Sequence, residues 1–214
     1  MSADSDLRYI KVEQALRAAL LEILEHKRLE DVTVSEICKL ARCSRNAFYG
    51  HYAGRDELCA AMLDDFAATI RRECEEENER LRAGAMISED FVHAAMAVFR
   101  ENEQLLRVLL RSDTGVFAAT LANILFDVSL STLENLKEAP LGATTRLSNA
   151  YIAGGTVAFI ERWIKEDLPV EEVAKALEAM HIPTSISMFR LMGVISDDHA
   201  PEASEGDPDG ATTQ

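Results

Sequence analysis

The chain runs 139 residues before its first proline, Pro140. Proline inside a helix removes a backbone donor and clashes with the preceding turn, so its absence over this length leaves long helices open to the chain. Glycine is sparse over the same stretch, and apolar residues recur at spacings of three and four rather than alternating. The expected fold class is therefore all-α. Apolar residues make up 48% of the 214, ample for a core. No apolar run approaches the ~20 residues that span a bilayer, so no membrane partner is expected. Met1 to Asp6 is polar and acidic, unlike a secretory leader, which points to a cytoplasmic chain. Cys38, Cys43, Cys59 and Cys74 form no CxxC pair and no zinc-spaced set with the scattered histidines. Neither a disulfide framework nor a metal site nor a cofactor is expected.

Helix signals divide the chain. A first helix is expected from about Leu7 to His26, with Val12, Leu16, Leu20, Ile23 and Leu24 on one face. Thr33 stands three residues before Glu36, the spacing of a capping box. The helix it opens is short, with Val34, Ile37, Cys38 and Ala41 as its buried stripe. After a break at Arg42-Cys43, Ser44 can cap another short helix to about His51. Ala53-Gly54 breaks the chain again, and Arg55-Asp56-Glu57 opens a long helix with Leu58, Met62, Phe66 and Ile70 at spacing four. Residues 73–82 are highly charged and read as a solvated helix end, closed by Gly84. Further helices are expected from Ser88 to about Arg111, on to about Glu138, from about Thr144 to Glu166, and from Pro169 to about Met192 with a break or kink at Pro183. From Ser196 the acidic, Pro/Gly/Ser-rich composition reads as a disordered tail.

Residues 33–51 thus read as two short helices joined by a tight turn, each too short to be stable alone. That is the helix-turn-helix arrangement, whose second helix enters the DNA major groove. Charge agrees locally. Lys39, Arg42, Arg45 and Arg55 fall in a segment with no acidic residue. Residues 1–60 carry nine basic and ten acidic residues, whereas 61–214 carry 13 and 27. An acidic body with a basic reading segment orients a protein on DNA and limits non-specific binding. Arg45 can donate twice to guanine and Asn46 can pair with adenine. Ala47 lets the helix approach closely. Thr33, Ser44, Tyr49, His51, Tyr52 and Arg55 complete the expected DNA-binding set, with Tyr49, His51 and Tyr52 near phosphates and Tyr52 equally open to a packing role.

The segments Thr33-Val34-Ser35-Glu36-Ile37-Cys38-Lys39-Leu40-Ala41, Ser44-Arg45-Asn46-Ala47-Phe48-Tyr49-Gly50-His51-Tyr52 and Arg55-Asp56-Glu57-Leu58 resemble the DNA-binding signature of the tetracycline-repressor (TetR/AcrR) family. The resemblance covers about residues 10–60. It implies a homodimeric, ligand-responsive, sequence-specific transcription regulator, usually a repressor, that binds a double-stranded and commonly palindromic operator. Two positions depart from the family pattern. Arg42 stands where a turn glycine is common, and Arg55 where a lysine usually opens the fourth helix. Tyr151-Ile152-Ala153-Gly154-Gly155, with Trp163 and Leu168-Pro169, is more weakly similar to the branch that includes the dihydroxyacetone-kinase activator.

The expected organisation is a three-helix DNA-binding domain over 1–60, a helical regulatory and dimerisation domain over 61–195, and the acidic tail over 196–214. No phosphate-binding glycine loop, GxSxG or HExxH occurs, so no catalytic residue is assigned. For an unidentified small-molecule effector, polar or bulky interruptions of the apolar pattern nominate His93, Met96, Asn123, Phe126 and Tyr151 as pocket lining. For a homodimer, Gly155, Phe159, Trp163, Leu177, Met180 and Phe189 are the interface candidates. The competing reading is an acidic helical protein-binding adaptor that has lost DNA binding, supported by Arg42 and the net charge of −15.

Overall fold

The computed structural model describes residues 3–83, 89–111 and 116–193. The described residues form nine α-helices and a 3-10 turn at Leu29–Asp31, with no strand among them. The helices are α1 (Ala3–Leu24), α2 (Val34–Leu40), α3 (Arg45–Tyr49), α4 (Arg55–Arg82), α5 (Glu89–Glu101), α6 (Glu103–Leu110), α7 (Val116–Lys137), α8 (Ala143–Glu166) and α9 (Val170–Met192). None is long and apolar enough to cross a membrane.

Local chemistry accounts for the boundaries. Thr33 and Glu36 make the full capping box at the start of α2, with the Glu36 backbone N–H donating to the Thr33 hydroxyl and the Thr33 N–H to the Glu36 carboxylate. Ser44 accepts from the Ala47 N–H at 3.1 Å and starts α3. At the start of α4, which lacks a side-chain cap on Gly54, the Glu57 carboxylate accepts from the Ala53 N–H. Two expectations change. The stretch to Arg111 is two helices, broken at Asn102, whose side chain donates back to the Val98 carbonyl at 2.9 Å. Pro183 does not end a helix, since α9 runs on through it to Met192. The expected signals at Gly84, Ser88 and Ser112–Gly115, and the tail from Ser196, lie outside the described residues.

Two cores share one long helix. Leu16, Leu20, Val32, Ile37, Phe48 and Tyr52 close around Leu58 and Met62 of α4, with Leu105, Val108 and Leu109 of α6 completing the cluster. Farther along α4, Phe66 and Ile70 join Met96, Phe99, Leu121, Leu125, Val157, Ile160 and Trp163 from α5, α7 and α8. Leu133, Met188, Phe189 and Met192 fill a third cluster at the far end. The expected boundary at residue 60 thus falls inside α4, a continuous helix that belongs to both cores.

The charged stretch 73–82 is not wholly solvated. Glu77 and Asn78 are buried, and the Asn78 amide donates to the Thr132 carbonyl of α7 at 2.7 Å. This charged helix end packs because Cys74 and Leu81 face inward together with Asn78, which meets a polar backbone partner.

Candidate nucleic-acid interface

α2 and α3 are seven and five residues long, so neither holds its shape without the frame around it. The frame is built by Ile37 and Phe48, both fully buried between α1 and α4. The turn joining them is a Schellman motif. The Cys43 N–H donates to the Cys38 carbonyl at 3.0 Å and the Arg42 N–H to the Lys39 carbonyl at 3.4 Å. Such a motif needs a left-handed residue between them, and Arg42 takes that role at φ 53°. The departure from a turn glycine therefore keeps the turn and the helix-turn-helix geometry, which removes Arg42 as a support of the adaptor reading.

This frame turns one face outward. Lys39, Arg42, Arg45, Asn46 and Tyr49 are exposed, Tyr49 by 57%. Arg45 donates to the Ser35 hydroxyl at 2.6 Å, which orders its guanidinium while using one of its five N–H donors. Ala47 is half-buried on the side of α3 away from Arg45 and Tyr49. Ser44 and Thr33 are exposed, and their hydroxyls serve the helix caps. Glu36 is the one acid on this pair of helices. Its bond to Lys27, followed by the bonds from Thr33, lowers its pKa from 4.5 to about 2, so it stays ionised and paired.

Three expected DNA contacts are directed elsewhere. Tyr52 is buried, donating to Glu13 at 2.9 Å and accepting from Arg17 at 3.3 Å. Arg17 also bonds Asp65, so Tyr52 sits in a network that ties α1 to α4 and cannot reach a phosphate. His51 is half-buried and stacks on Tyr9 with ring centroids 3.8 Å apart. Burial lowers its pKa, and Glu13 pulls weakly the other way. Arg55 donates to the Val32 carbonyl, pinning the start of α4 to the loop before α2. Sequence reasoning missed Tyr9. Its signal is an aromatic residue two turns before Leu16 on the buried face of α1, where the helix runs out past the core.

The comparisons agree with this geometry. No protein-family model matches the chain. The uncharacterized HTH-type transcriptional regulator YxbF of Bacillus subtilis is 33% identical over 66 residues, 30% of this chain and 17% of YxbF. The chain thus matches about a sixth of that relative's length. Three solved structures superpose over most of the chain. A protein of Syntrophomonas wolfei assigned to the TetR family of transcriptional regulators has a TM-score of 0.61 at 15% identity, covering 82% of this chain and 95% of its own. The fold is that of the TetR-family regulators. A TetR transcriptional regulator of Streptococcus agalactiae reaches a TM-score of 0.51 at 19% identity over 82% of this chain and 96% of its own. The dihydroxyacetone kinase operon activator DhaS gives 0.51 at 12% over 87% and 98%.

The TetR-type body also holds a cavity of about 130 Å³ between α4, α5, α7, α8 and α9. Ile70, Phe99, Leu125, Ile152, Leu177 and Phe189 give it apolar walls, and Cys74, Glu77, Asn78, Ser129 and Asn149 add polar groups. Asn149 is fully buried, accepting from Ser129 at 2.6 Å and donating to the Phe126 carbonyl at 3.1 Å. None of the five residues nominated from sequence lines this cavity. His93, Asn123 and Tyr151 lie on outward faces, Met96 is packed in the core, and Phe126 contributes only its carbonyl to the network. A polar residue in an apolar pattern marks a pocket only when its own helix position faces inward, as Asn78 and Asn149 do.

The interface candidates separate in the same way. Trp163 is buried within the subunit and donates from Nε1 to the Leu168 carbonyl at 3.1 Å. Leu177 and Phe189 are buried against the cavity, and Phe159 is half-buried on the core. Gly155 and Met180 remain on the surface.

Proposed function

We propose that the chain is a cytoplasmic, homodimeric, ligand-responsive transcription regulator of the TetR type, a repressor that reads a palindromic operator through α3. The observation that carries this reading is the outward face of the helix-turn-helix. Arg45, Asn46 and Tyr49 stand beside Lys39 and Arg42, with their neighbours held by caps and by a complete turn. Arg45 and Asn46 supply base-reading donors and acceptors, and Lys39 and Arg42 supply charge for phosphates. No catalytic constellation is assigned.

A second copy fits the outer face of α8 and α9. Leu147 and Tyr151 on α8 are 72% and 69% exposed, and Met180 and Leu191 on α9 are 54% and 57% exposed. Gly154 and Gly155 lie on the same surface of α8, and a Cβ added to either would meet nothing within 4 Å inside the subunit. Glycine costs a helix interior about 1 kcal/mol relative to alanine, so packing within the subunit does not account for the pair. Close approach of a partner helix does. Of the candidates taken from sequence, this surface keeps Gly155 and Met180 and leaves out Phe159, Trp163, Leu177 and Phe189.

Effector coupling follows from α4. One end of this helix lines the cavity with Ile70, Cys74, Asn78 and Leu81, and the other enters the DNA-binding core with Leu58 and Met62. A small molecule that fits the cavity better in one position of α4 would shift the spacing of the two reading helices, by no more than its difference in affinity for the two states.

Footprinting on the DNA upstream of the chain's own coding sequence tests the proposal. Two protected half-sites related by a two-fold axis, about one helical turn or a multiple apart, are expected. Absence of any protection at low salt would refute it.

A further inference from the structure

We propose that Cys38 and Cys43 form a dithiol within the helix-turn-helix that an organic or hydrogen peroxide closes to an intramolecular disulfide, disturbing α3 and releasing DNA. The placement comes from the Schellman turn. Cys38 and Cys43 are its first and last residues, joined by the 3.0 Å backbone bond from the Cys43 N–H to the Cys38 carbonyl. Side chains at these two positions meet across the turn, where an apolar contact usually seals the helix end. Here both are thiols, and both are free. Burial raises the Cys38 pKa, the neighbouring Cys43 thiol pushes it the same way, and Arg45 pulls it down. The two side chains are thus close enough to act on each other's ionisation.

Access is unequal in a useful way. Cys38 is buried and Cys43 is half-exposed, so a peroxide reaches Cys43 first. The Cys43 thiolate attacks the peroxide oxygen, forming a sulfenic acid and releasing an alcohol or water. The Cys38 sulfur then attacks the Cys43 sulfur, and water leaves. Two thiols lose two electrons, the peroxide gains them, and the two thiol protons end in the released water and alcohol. The other two cysteines serve as internal controls. Burial pushes the Cys59 thiol up to about 11 and the Cys74 thiol up to about 12, so both stay protonated and slow to react.

Closure has a mechanical consequence. A disulfide fixes the sulfurs about 2 Å apart with a set dihedral angle. Cys43 is followed directly by Ser44, the cap of α3, and preceded by Arg42 in its left-handed conformation. Drawing Cys43 inward therefore alters the start of the reading helix. The effect on DNA rests on the regulator reading above, while the dithiol itself does not.

The test is to treat the full chain with stoichiometric hydrogen peroxide, count free thiols, and map disulfide-linked peptides by mass spectrometry. Affinity for a duplex from its own upstream region is then measured before and after dithiothreitol. We expect four thiols to fall to two, a Cys38–Cys43 link, and at least tenfold weaker DNA binding that the reductant reverses. Cys43→Ser, changed at the more exposed position, should lose both responses while keeping its affinity. Loss of Cys59 or Cys74 thiols, a link between chains, or irreversible oxygen addition at Cys43 alone would overturn the site. Disulfide formation with unchanged affinity would overturn its coupling to DNA. A disulfide in a chain that binds this duplex in neither state would uphold the dithiol and sink the regulator reading.

Discussion

Arg42 links sequence, conformation and function at a single position. Its φ of 53° lies in the left-handed region, which costs an L-residue other than glycine roughly 1–2 kcal/mol. The chain keeps arginine there and so places a cation beside Arg45 on the exposed face. Arg42→Gly should therefore raise stability by about 0.5–1 kcal/mol, the left-handed penalty less the extra freedom glycine gives the unfolded chain. The same change should weaken DNA binding through the lost charge. Thermal unfolding and a binding titration on one preparation measure both, and a destabilised variant would contradict the assignment of strain. At this scale the sequence was legible wherever a residue's role is local. The Thr33–Glu36 box and the Ser44 cap depend on spacing alone, and both form as spacing predicts. Tyr52, His51 and Arg55 were not legible, because their partners Glu13, Arg17, Tyr9 and Val32 are distant in sequence.

Among the elements, helix existence followed from the missing prolines and the apolar spacing, while helix direction did not. Periodicity says which residues share a face but not which of two moderately apolar faces is buried. On α8 that ambiguity matters. Ala153, Val157, Ile160 and Trp163 take the inside, which leaves Leu147, Tyr151 and Gly154 outside. For the same reason spacing does not show that Asn149 faces inward, while Asn78 is hidden in a stretch whose charge reads as solvated. The α8–α9 surface gives a clear expectation. Tyr151→Arg places charge at the centre of the proposed contact without entering the subunit core, since Tyr151 is already exposed. Light scattering should report a folded monomer with an unchanged circular dichroism spectrum, because an unpaired buried charge costs an interface several kcal/mol. A variant that stays dimeric would remove this face from the account.

For the whole molecule, charge and α4 work together. The body carries most of the net charge of −15, whereas the exposed face of α2, the turn and α3 carries Lys39, Arg42 and Arg45 with Glu36 as the one acid on these two helices. Binding should therefore occur in one orientation and weaken steeply with salt, since release of counterions from a few phosphates dominates the salt dependence. α4 then connects that face to the cavity as a single helix running through both cores. The most direct test of the account is a fluorescence-anisotropy titration of wild type and Arg45→Ala against the upstream duplex and a scrambled duplex of equal length, over a salt series. The account predicts that wild type prefers the upstream duplex, and that Arg45→Ala loses about 1–3 kcal/mol on it, with relaxed preference at one base position and little change on the scrambled duplex. Equal affinity of wild type for both duplexes, or an Arg45→Ala variant with affinity and preference intact, would contradict it.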